Sequence, residues 1–315
     1  KIFLIKSMNI AFQMDKLSNI NFNTDSTIAL IFESQLRNNK NFIYEPNDLF
    51  IKNNEVFALA SLINFSNKDF TKYKSAEKKI IKLSSMNIVF IRQDPPYDMA
   101  YITSLHILEL IDSKKTRIVN DPIGIRNSPE KILIFNFPEL IPPTIVTRSK
   151  EQVIQFLKKY KKAVIKPLYG NGGEGIFLIS NNDLNLNQII ESFISNNKEQ
   201  FIVQKYLPAI TKGDKRIILV DGEPVGAISR IPKANEIRSN IHVGGTTKKI
   251  SMSKSDRLIC STIGPELKKR KLFFVGIDII GKNLIEINVT SPTCIREIKQ
   301  HSKLDIAKII WDKLA

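Results

Sequence analysis

Ala163-Val-Ile-Lys-Pro-Leu-Tyr-Gly-Asn-Gly-Gly-Glu-Gly-Ile-Phe-Leu-Ile179 reads as two short strands around a glycine-rich turn. Gly170, Gly172 and Gly175 have the spacing G-x-G-x-x-G. In a dinucleotide site that spacing needs a strand before it and a helix after it, so that the pyrophosphate rests on the helix N-terminus. Here Ile176-Phe-Leu-Ile179 continues as a β-like run, which argues against that fold. No Lys-Ser/Thr pair follows Gly175, so the turn is not a Walker A loop either. A hairpin tip with unobstructed amides can instead close over phosphates without any helix dipole. Lys166 ends the first strand, inside Val164-Ile-Lys-Pro167. A lysine there is costly to bury unless it meets an anion, and a nucleotide phosphate is a natural one. An ordinary glycine turn and a lysine exposed on an edge strand are the plain alternatives.

A second constellation lies in Gly276-Ile-Asp-Ile-Ile-Gly-Lys-Asn-Leu-Ile-Glu-Ile-Asn288. Side chains alternate along a strand, so Glu286 and Asn288 share a face. A hairpin turning through three residues centred on Lys282 sets Asp278 opposite Glu286. Two close carboxylates repel unless protonated or bridged by a cation. Mg²⁺ suits the set, because it binds through one or two carboxylates plus nucleotide phosphates. A solvated polar face is the alternative. Between these constellations, the polar run from Arg230 to Gly245 lacks periodicity and ends in paired glycines. Loops this long are uncommon and tend to be functional or disordered; it reads as a mobile lid or a mere surface loop. His106, His242 and His301 are scattered, and neither cysteine sits in a motif with a base, so no covalent-catalysis arrangement stands out.

The N-terminal part alternates strands and helices. Strands are expected at Met8–Met14, Asn41–Glu45, Asn87–Arg92 and Arg117–Asn120, and helices at Ser26–Asn38 and Met99–Ile111. A hairpin over Leu49–Phe65 turns at Asn53-Asn54. The pattern implies a mostly parallel sheet covered by helices, with ligands beyond its strands' carboxyl ends, where the loop Arg92–Asp98 lies. Ser128-Pro-Glu-Lys131 reads as a helix start and Ser149-Lys-Glu-Gln152 as a capping box for a helix ending near Tyr160. From there the pattern is antiparallel. Strands at Phe201–Lys205, Arg216–Val220 and Pro224–Arg230 precede a helix at Asp256–Lys269. A hairpin of Phe273–Ile280 with Leu284–Val289 and a final helix, Leu304–Leu314, follow. The fold class is α/β, an N-terminal mostly parallel domain followed by a part built on antiparallel sheets.

Length and composition agree. The 315 residues, 43% hydrophobic and 25% charged, fit two or three domains and exclude wholesale disorder or a coiled coil. No apolar run approaches the roughly 20 residues that cross a bilayer, so no membrane partner is expected. Lys1-Ile-Phe-Leu-Ile-Lys6 holds four apolar residues in a row, short of a signal-peptide core of about 7–15. Cys260 and Cys294 give no disulfide framework, and a reducing cytoplasm is the expected setting. The net charge of +16 raises nucleic acid as a partner, but 36 Lys scattered among Asn and Ile outnumber 11 Arg. The residue most used to read bases is the scarcer one. No nucleic-acid surface is expected; the excess attracts small anions.

A nucleotide lysine, a glycine loop, a hinge and a carboxylate/Asn pair in this order resemble the ATP-grasp superfamily. The runs Asp278-Ile-Ile-Gly281, Glu286-Ile-Asn-Val-Thr-Ser-Pro-Thr-Cys-Ile-Arg-Glu297, Arg92-Gln-Asp-Pro-Pro-Tyr-Asp98, Gln204-Lys-Tyr-Leu-Pro208 and Gly213-Asp-Lys-Arg216 are more specific. On them the chain resembles the bacterial-type glutathione synthetases from Met8 essentially to the end. The resemblance implies a pre-ATP-grasp α/β domain over 1–128 and an ATP-grasp fold of two α+β subdomains over 129–315. Those subdomains are about 129–205 and 206–315, with a lid loop at 231–247. It implies ligation of γ-glutamylcysteine and glycine with ATP and Mg²⁺, Mn²⁺ being a substitute, in a homotetramer.

The same resemblance implies roles for residues. Lys131 and Lys166 contact nucleotide phosphates under the small loop of Gly170, Asn171, Gly172, Gly173 and Gly175. Gln204, Lys205, Tyr206 and Leu207 form the adenine hinge, and Asp214 holds the ribose. Asp278, Glu286 and Asn288 hold Mg²⁺. Arg216 and Arg230 face the transferred phosphoryl group. Arg238, Asn240 and the Gly244-Gly245 hinge belong to the lid, and Arg92, Ser291 and Thr293 to the substrate. Two departures stand out: Lys1–Ser7 precedes the family's first strand and is expected to be an extension or a misassigned start. Met14-Asp15-Lys16 lacks the proline that often follows the Asp. A glutamate- or D-alanine-ligase type of ATP-grasp enzyme is the alternative; it shares the nucleotide residues but not Arg92–Asp98 together with Thr290–Arg296.

Overall fold

The computed structural model describes residues 7–66, 69–196, 198–234, 236, 238–239 and 244–314. Lys1–Lys6, Asn240 and His242 lie outside the described residues. Among the described residues the strands form three sheets.

The first sheet grows from β1 (Asn9–Gln13), which lies parallel to β2 (Lys40–Tyr44) and β7 (Ile88–Ile91); β7 is parallel to β8 (Arg117–Val119). All four residues of β7 are buried, as expected of a parallel strand covered on both faces. Phe12 and Phe90 stack across these strands at 4.9 Å. The expected hairpin is β3 (Leu49–Lys52) with β4 (Glu55–Ser66), and Asn53 and Asn54 both take positive φ, the backbone that a two-residue turn of matching twist demands. Two strands of this sheet were not anticipated, β5 (Asp69–Ser75) and β6 (Lys79–Lys82), both paired with β4. Their lysines and Asp69 hide strand character from a hydrophobic pattern. Helix α1 (Ser26–Leu36) is capped by Asp25, and α2 (Met99–Glu109) by Asp98.

The expected helix start at Ser128 is not there. The proline-led helix is α3 (Pro122–Arg126), capped by Asp121. After it Ile132 and Leu133 both donate to the Pro129 carbonyl, a single turn that tightens into a 3₁₀ segment, Leu133–Asn136. Glu130 is pulled out of helical geometry because its carbonyl and carboxylate accept hydrogen bonds from Ile287, Val289 and Thr290.

The second sheet runs β11-β10-β12-β9, with β9 (Thr144–Thr147), β10 (Lys162–Pro167), β11 (Phe177–Ser180) and β12 (Phe201–Lys205) all antiparallel. Two helices, α4 (Lys150–Tyr160) and α5 (Leu186–Asn196), pack Phe156 and Phe193 against it in a core of its own. The expected capping box of α4 is half formed. Ser149 Oγ accepts from the Gln152 amide, whereas the Gln152 side chain meets the Thr147 hydroxyl.

The third sheet runs β15-β14-β13-β16-β17: β13 (Asp214–Val220), β14 (Glu223–Ile231), β15 (Thr246–Lys249), β16 (Phe274–Ile280) and β17 (Asn283–Asn288). Helix α6 (Lys254–Lys269) covers it and opens with a complete Ser253/Asp256 capping box. It approaches so closely that a Cβ on Gly264 would stand 2.5 Å from the Gly222 carbonyl oxygen. The chain ends in α7 (Ile295–Ser302), which was not anticipated, and α8 (Ile306–Leu314). No helix among the described residues is long and apolar enough to cross a membrane.

Helix α8 returns to the first sheet. Trp311 is 1% exposed, packs its ring 5.4 Å from that of Phe90, and donates from Nε1 to the Leu30 carbonyl at 2.9 Å. Ile10, Phe12, Ile218, Ile298 and Trp311 thereby share one core. Trp311→Ala is expected to destabilise the fold by about 3–5 kcal/mol, the range for truncating a buried aromatic, measured by urea unfolding followed by circular dichroism.

Candidate functional site

The three sheets meet around a cleft of about 720 Å³. Lys166, at the end of β10, reaches into it with 6% exposure and donates to Gln204 Oε1 at 3.4 Å; Gln204 in turn donates to Thr144. Burial pushes the Lys166 ammonium down to about 8; Glu286 and Asp278 oppose the shift, while Lys131 adds to it. Lys131 Nζ bridges Glu286 Oε1 at 3.0 Å and the Gly170 carbonyl at 2.6 Å. The two expected phosphate lysines therefore share one wall, and one of them holds the base of the glycine loop.

That loop is a hairpin tip, not a helix start. Gly172, Gly173 and Gly175 all have positive φ, and nothing lies within 4 Å of a Cβ built on Gly172. Asn171 donates to the Pro95 carbonyl at 3.4 Å, and Tyr97 stacks on Tyr169 at 5.9 Å. The loop Arg92–Asp98 thus touches the glycine loop. Lys205, Tyr206 and Leu207 continue from β12 along the cleft.

The carboxylate hairpin reaches the expected pairing by a different route. Its turn has two residues, Gly281 and Lys282, not three. A bulge shifts the register between Asp278 and Ile279, so Asp278 still faces Glu286. Asn288 Nδ2 lies 3.4 Å from Asp278 Oδ2. Asp278 binds Arg216 through two hydrogen bonds, 2.6 and 2.9 Å, and Arg230 at 2.9 Å. Burial alone would raise the Asp278 carboxyl, but the two guanidinium groups hold it well below the usual carboxylate range. Burial opposes the charge on Arg216 as well, and Asp278 overcomes it. Arg230 also grips Asp214 through Nε at 2.9 Å and through Nη2, so the expected ribose residue is locked to an expected phosphoryl residue. Gly276 makes room for this packing: a Cβ there would meet Arg216 Cδ at 3.2 Å.

The donor set of Asp278, Glu286 and Asn288 consists of hard oxygens, which suits Mg²⁺. Among the described residues no group of three His, Cys, Asp or Glu side chains could hold a metal. These two acids and an amide therefore need further oxygens, as phosphates supply.

Arg92 is 3% exposed. It crosses the domain gap: Nε donates to Thr27 Oγ1 at 3.1 Å and Nη2 to the Pro292 carbonyl at 2.9 Å, while Ser291 Oγ donates to the Arg92 carbonyl. Thr293 lines the same cleft. The ends of the expected lid, 231–247, are held in strands, where Ile231 pairs with Thr246. Arg238 pairs with Glu236 at 2.7 Å, and Gly244 has positive φ beside Gly245. Asn240 lies outside the described residues.

Sequence reasoning missed Glu130. Its Oε1 accepts from Val289 N at 2.8 Å, Thr290 N at 3.0 Å and Thr290 Oγ1 at 2.8 Å. Burial first, and Glu286 second, raise its carboxyl. An acid beside Lys131 was the available signal, obscured by the helix-start pattern.

Family models match the chain in two places, "Prokaryotic glutathione synthetase, N-terminal domain" over 8–126 and "Prokaryotic glutathione synthetase, ATP-grasp domain" over 130–303. The chain belongs to the prokaryotic glutathione synthetase family. Glutathione synthetases of Mesorhizobium japonicum and Agrobacterium fabrum are 46% and 43% identical to it, over 97% and 99% of this chain and 97% of each relative. That of Buchnera aphidicola from Acyrthosiphon pisum is 39% identical over 97% of this chain and 96% of its own. As a member, the chain is an ATP-dependent ligase of glutathione biosynthesis. The D-cycloserine synthetase DcsG superposes with a TM-score of 0.68 at 12% identity, covering 98% of this chain and 100% of its own. The ATP-grasp ligase PsnB, solved with Mg and ADP, gives 0.61 at 13% identity, covering 98% of both chains. Both share the fold.

Glu130→Ala leaves the Val289 and Thr290 amides without their acceptor. It is expected to lower stability by about 1–3 kcal/mol, the penalty of an orphaned buried donor, whereas Glu130→Gln keeps an acceptor and most of the stability. Thermal unfolding of both variants checks the contrast.

Proposed function

We propose that the cleft carries out the glutathione synthetase reaction. The observation that supports it is the convergence of Lys131, Lys166, Arg216 and Arg230 on Asp278, Glu286 and Asn288 in one cleft, with no nucleophile paired to a base beside them among the described residues. The cysteinyl carboxylate of γ-glutamylcysteine attacks the γ-phosphorus of ATP and releases ADP. The glycine amine then attacks the acyl carbon of the acyl-phosphate and expels phosphate. Lys131 and Lys166 bind the phosphates beneath Gly170–Gly175, and Gln204–Leu207 hold the base. Arg216 and Arg230, fixed by Asp278 and Asp214, meet the charge that develops on the transferred phosphoryl group. Positioning and charge of this kind carry most of the catalysis of phosphoryl transfer. When bound by Asp278, Glu286 and Asn288, Mg²⁺ adds charge neutralisation at the phosphates. The acyl-phosphate is destroyed by water, and the lid segment with Arg238, Asn240 and Gly245 serves to cover it. Arg92, Ser291 and Thr293 contact the dipeptide.

The halves 129–205 and 206–315 hold the nucleotide between them, with 1–128 as the first domain. Mn²⁺ replaces Mg²⁺, since both suit oxygen donors. A homotetramer in the cytoplasm completes the proposal; both cysteines are free and buried.

Phosphate release from Mg·ATP should require γ-glutamylcysteine and glycine together and should yield glutathione. Release with another acceptor only would sink the substrate assignment. A second expectation concerns pH. Lys166 titrates near 8, so the free protein loses this charge as pH rises through that value. A neighbouring phosphate favours the charged form. ATP binding near that pH should therefore take up a proton, and affinity should fall above it. Calorimetry in buffers of different ionisation enthalpy measures the uptake, which Lys166→Gln should abolish.

A further inference from the structure

Asp278 is held in place by Arg216 and Arg230. Glu286 and Asn288 stand instead on β17, the last strand of its sheet, and among the described residues no further strand lies along its outer edge. Glu130 occupies that edge. Its carbonyl accepts from Ile287 N at 3.2 Å, and its Oε1 accepts from Val289 N at 2.8 Å, Thr290 N at 3.0 Å and Thr290 Oγ1 at 2.8 Å. Amides two residues apart on a strand point to the same edge. The Ile287 and Val289 amides therefore face away from β16, and one glutamate supplies the acceptors that another strand would have supplied. Its bonds begin directly after Glu286 and enclose Asn288. Sliding β17 by one residue would break all four.

The neighbours of these groups extend the arrangement in both directions. Lys131, the next residue, reaches Glu286 Oε1 at 3.0 Å and the Gly170 carbonyl at 2.6 Å. Two consecutive residues thus hold the edge of β17, the carboxylate of Glu286 and the base of the glycine loop. On the other side, Thr290 is 3% exposed and opens the loop that returns to the first domain. There Ser291 Oγ donates to the Arg92 carbonyl and Arg92 Nη2 donates to the Pro292 carbonyl. Thr290, tied to Glu130, and Pro292, tied to Arg92, are only two residues apart, and Thr293 follows into the cleft. The end of β17 is therefore one short element that carries two expected metal ligands and leads straight into the expected dipeptide contacts.

Mg²⁺ tolerates little departure from octahedral geometry, so the spacing of its ligands matters as much as their identity. Two ligands of a protein become coupled when both favour the same arrangement of one element. We propose that Glu130 is a positioning residue: it holds Glu286 and Asn288 at the spacing that binds the cation and ties them to the Thr290–Thr293 loop, so that Mg·nucleotide and dipeptide strengthen each other's binding. Glu130 acts through Glu286, Asn288 and Thr290 and not by contact with a substrate. The inference rests on the proposed reaction and adds a link between its nucleotide half and its dipeptide half.

The test measures binding of Mg·ADP and of γ-glutamylcysteine by calorimetry, each alone and beside the other, at a temperature where thermal unfolding shows every variant folded. In the wild type each ligand should bind at least about fivefold tighter beside the other, the lower end of ordinary coupling. Glu130→Ala is expected to raise the Mg²⁺ concentration that supports ADP binding by about tenfold to a hundredfold, the usual cost of losing a group that orients metal ligands, and to remove the coupling. Glu130→Gln keeps an acceptor oxygen and should restore most of both effects. Thr290→Val deletes one donor, orphans no other, and should weaken the coupling less than Glu130→Ala does. A folded Glu130→Ala protein with the wild type's Mg²⁺ dependence and coupling overturns the assignment. So does a Glu130→Gln protein as impaired as Glu130→Ala, because charge and not position would then be what matters. Should Glu130→Ala fail to fold, an unchanged coupling in Thr290→Val overturns it instead. A wild type that forms glutathione but binds the two ligands independently refutes the link and leaves the reaction standing; one that couples them but forms no glutathione refutes the reaction and leaves the link.

Discussion

Two arginines and two aspartates, buried together, are the constraint around which the cleft is built. The register of three adjacent strands sets Asp214 opposite Arg230 and Arg216 opposite Asp278. Either charge alone at these depths would be prohibitive, and removing one partner from such a pair leaves an uncompensated ion. The arrangement fixes both guanidinium groups, and it fixes Asp278 ionised. Shifting any one of the three strands by one residue would turn that strand's members of the cluster to the opposite face and leave their partners unpaired. The same register brings β17 alongside, with Glu286 and Asn288 on the face that carries Asp278. A structural requirement, neutrality of a buried cluster, therefore also delivers the site.

Much of this could be read from the chain, but not by the routes that produced it. The strand character of Ile176–Ile179 separated a hairpin tip from a dinucleotide turn, because local periodicity reports local structure. The pairing of Asp278 with Glu286 was right while the assumed turn was wrong, since the bulge compensates for the missing turn residue. A bulge leaves no mark on an alternating pattern when both flanking residues, Leu284 and Ile285, are apolar and buried. Glu130 was hidden because Ser-Pro-Glu-Lys fits a helix start equally well; only the distant amides of Val289 and Thr290 decide otherwise. The return of α8 to the first sheet is a contact of Trp311 with Phe90, beside the hydrogen bond to Leu30 of α1, and such long-range packing has no local signature.

The overall charge and the charge of the site have different origins. Most lysines are surface residues that raise the local concentration of anions. Within the cleft three of the cations are already matched: Lys131 with Glu286, Arg216 with Asp278, Arg230 with Asp214. In the proposed reaction a polyanionic nucleotide gains these three only by releasing carboxylates. Glu286 is the one most readily freed, because its partner is a single flexible ammonium and not a two-pronged guanidinium.

That exchange gives a physical reason for binding ATP with a divalent cation rather than alone. Transfer of Lys131 from Glu286 to a phosphate would leave a carboxylate beside Glu130, two anions in one partly buried corner. The corner is relieved when a cation arrives together with the phosphates, so that charge is conserved as partners are traded. Lys166 needs no such trade. Among the described residues it has only a neutral amide within hydrogen-bonding distance, and in the proposed reaction the phosphate is the first full anion to reach it. On the proposed assignment one lysine thus switches partners and the other acquires one, which separates the metal-linked part of nucleotide binding from the part linked to protons.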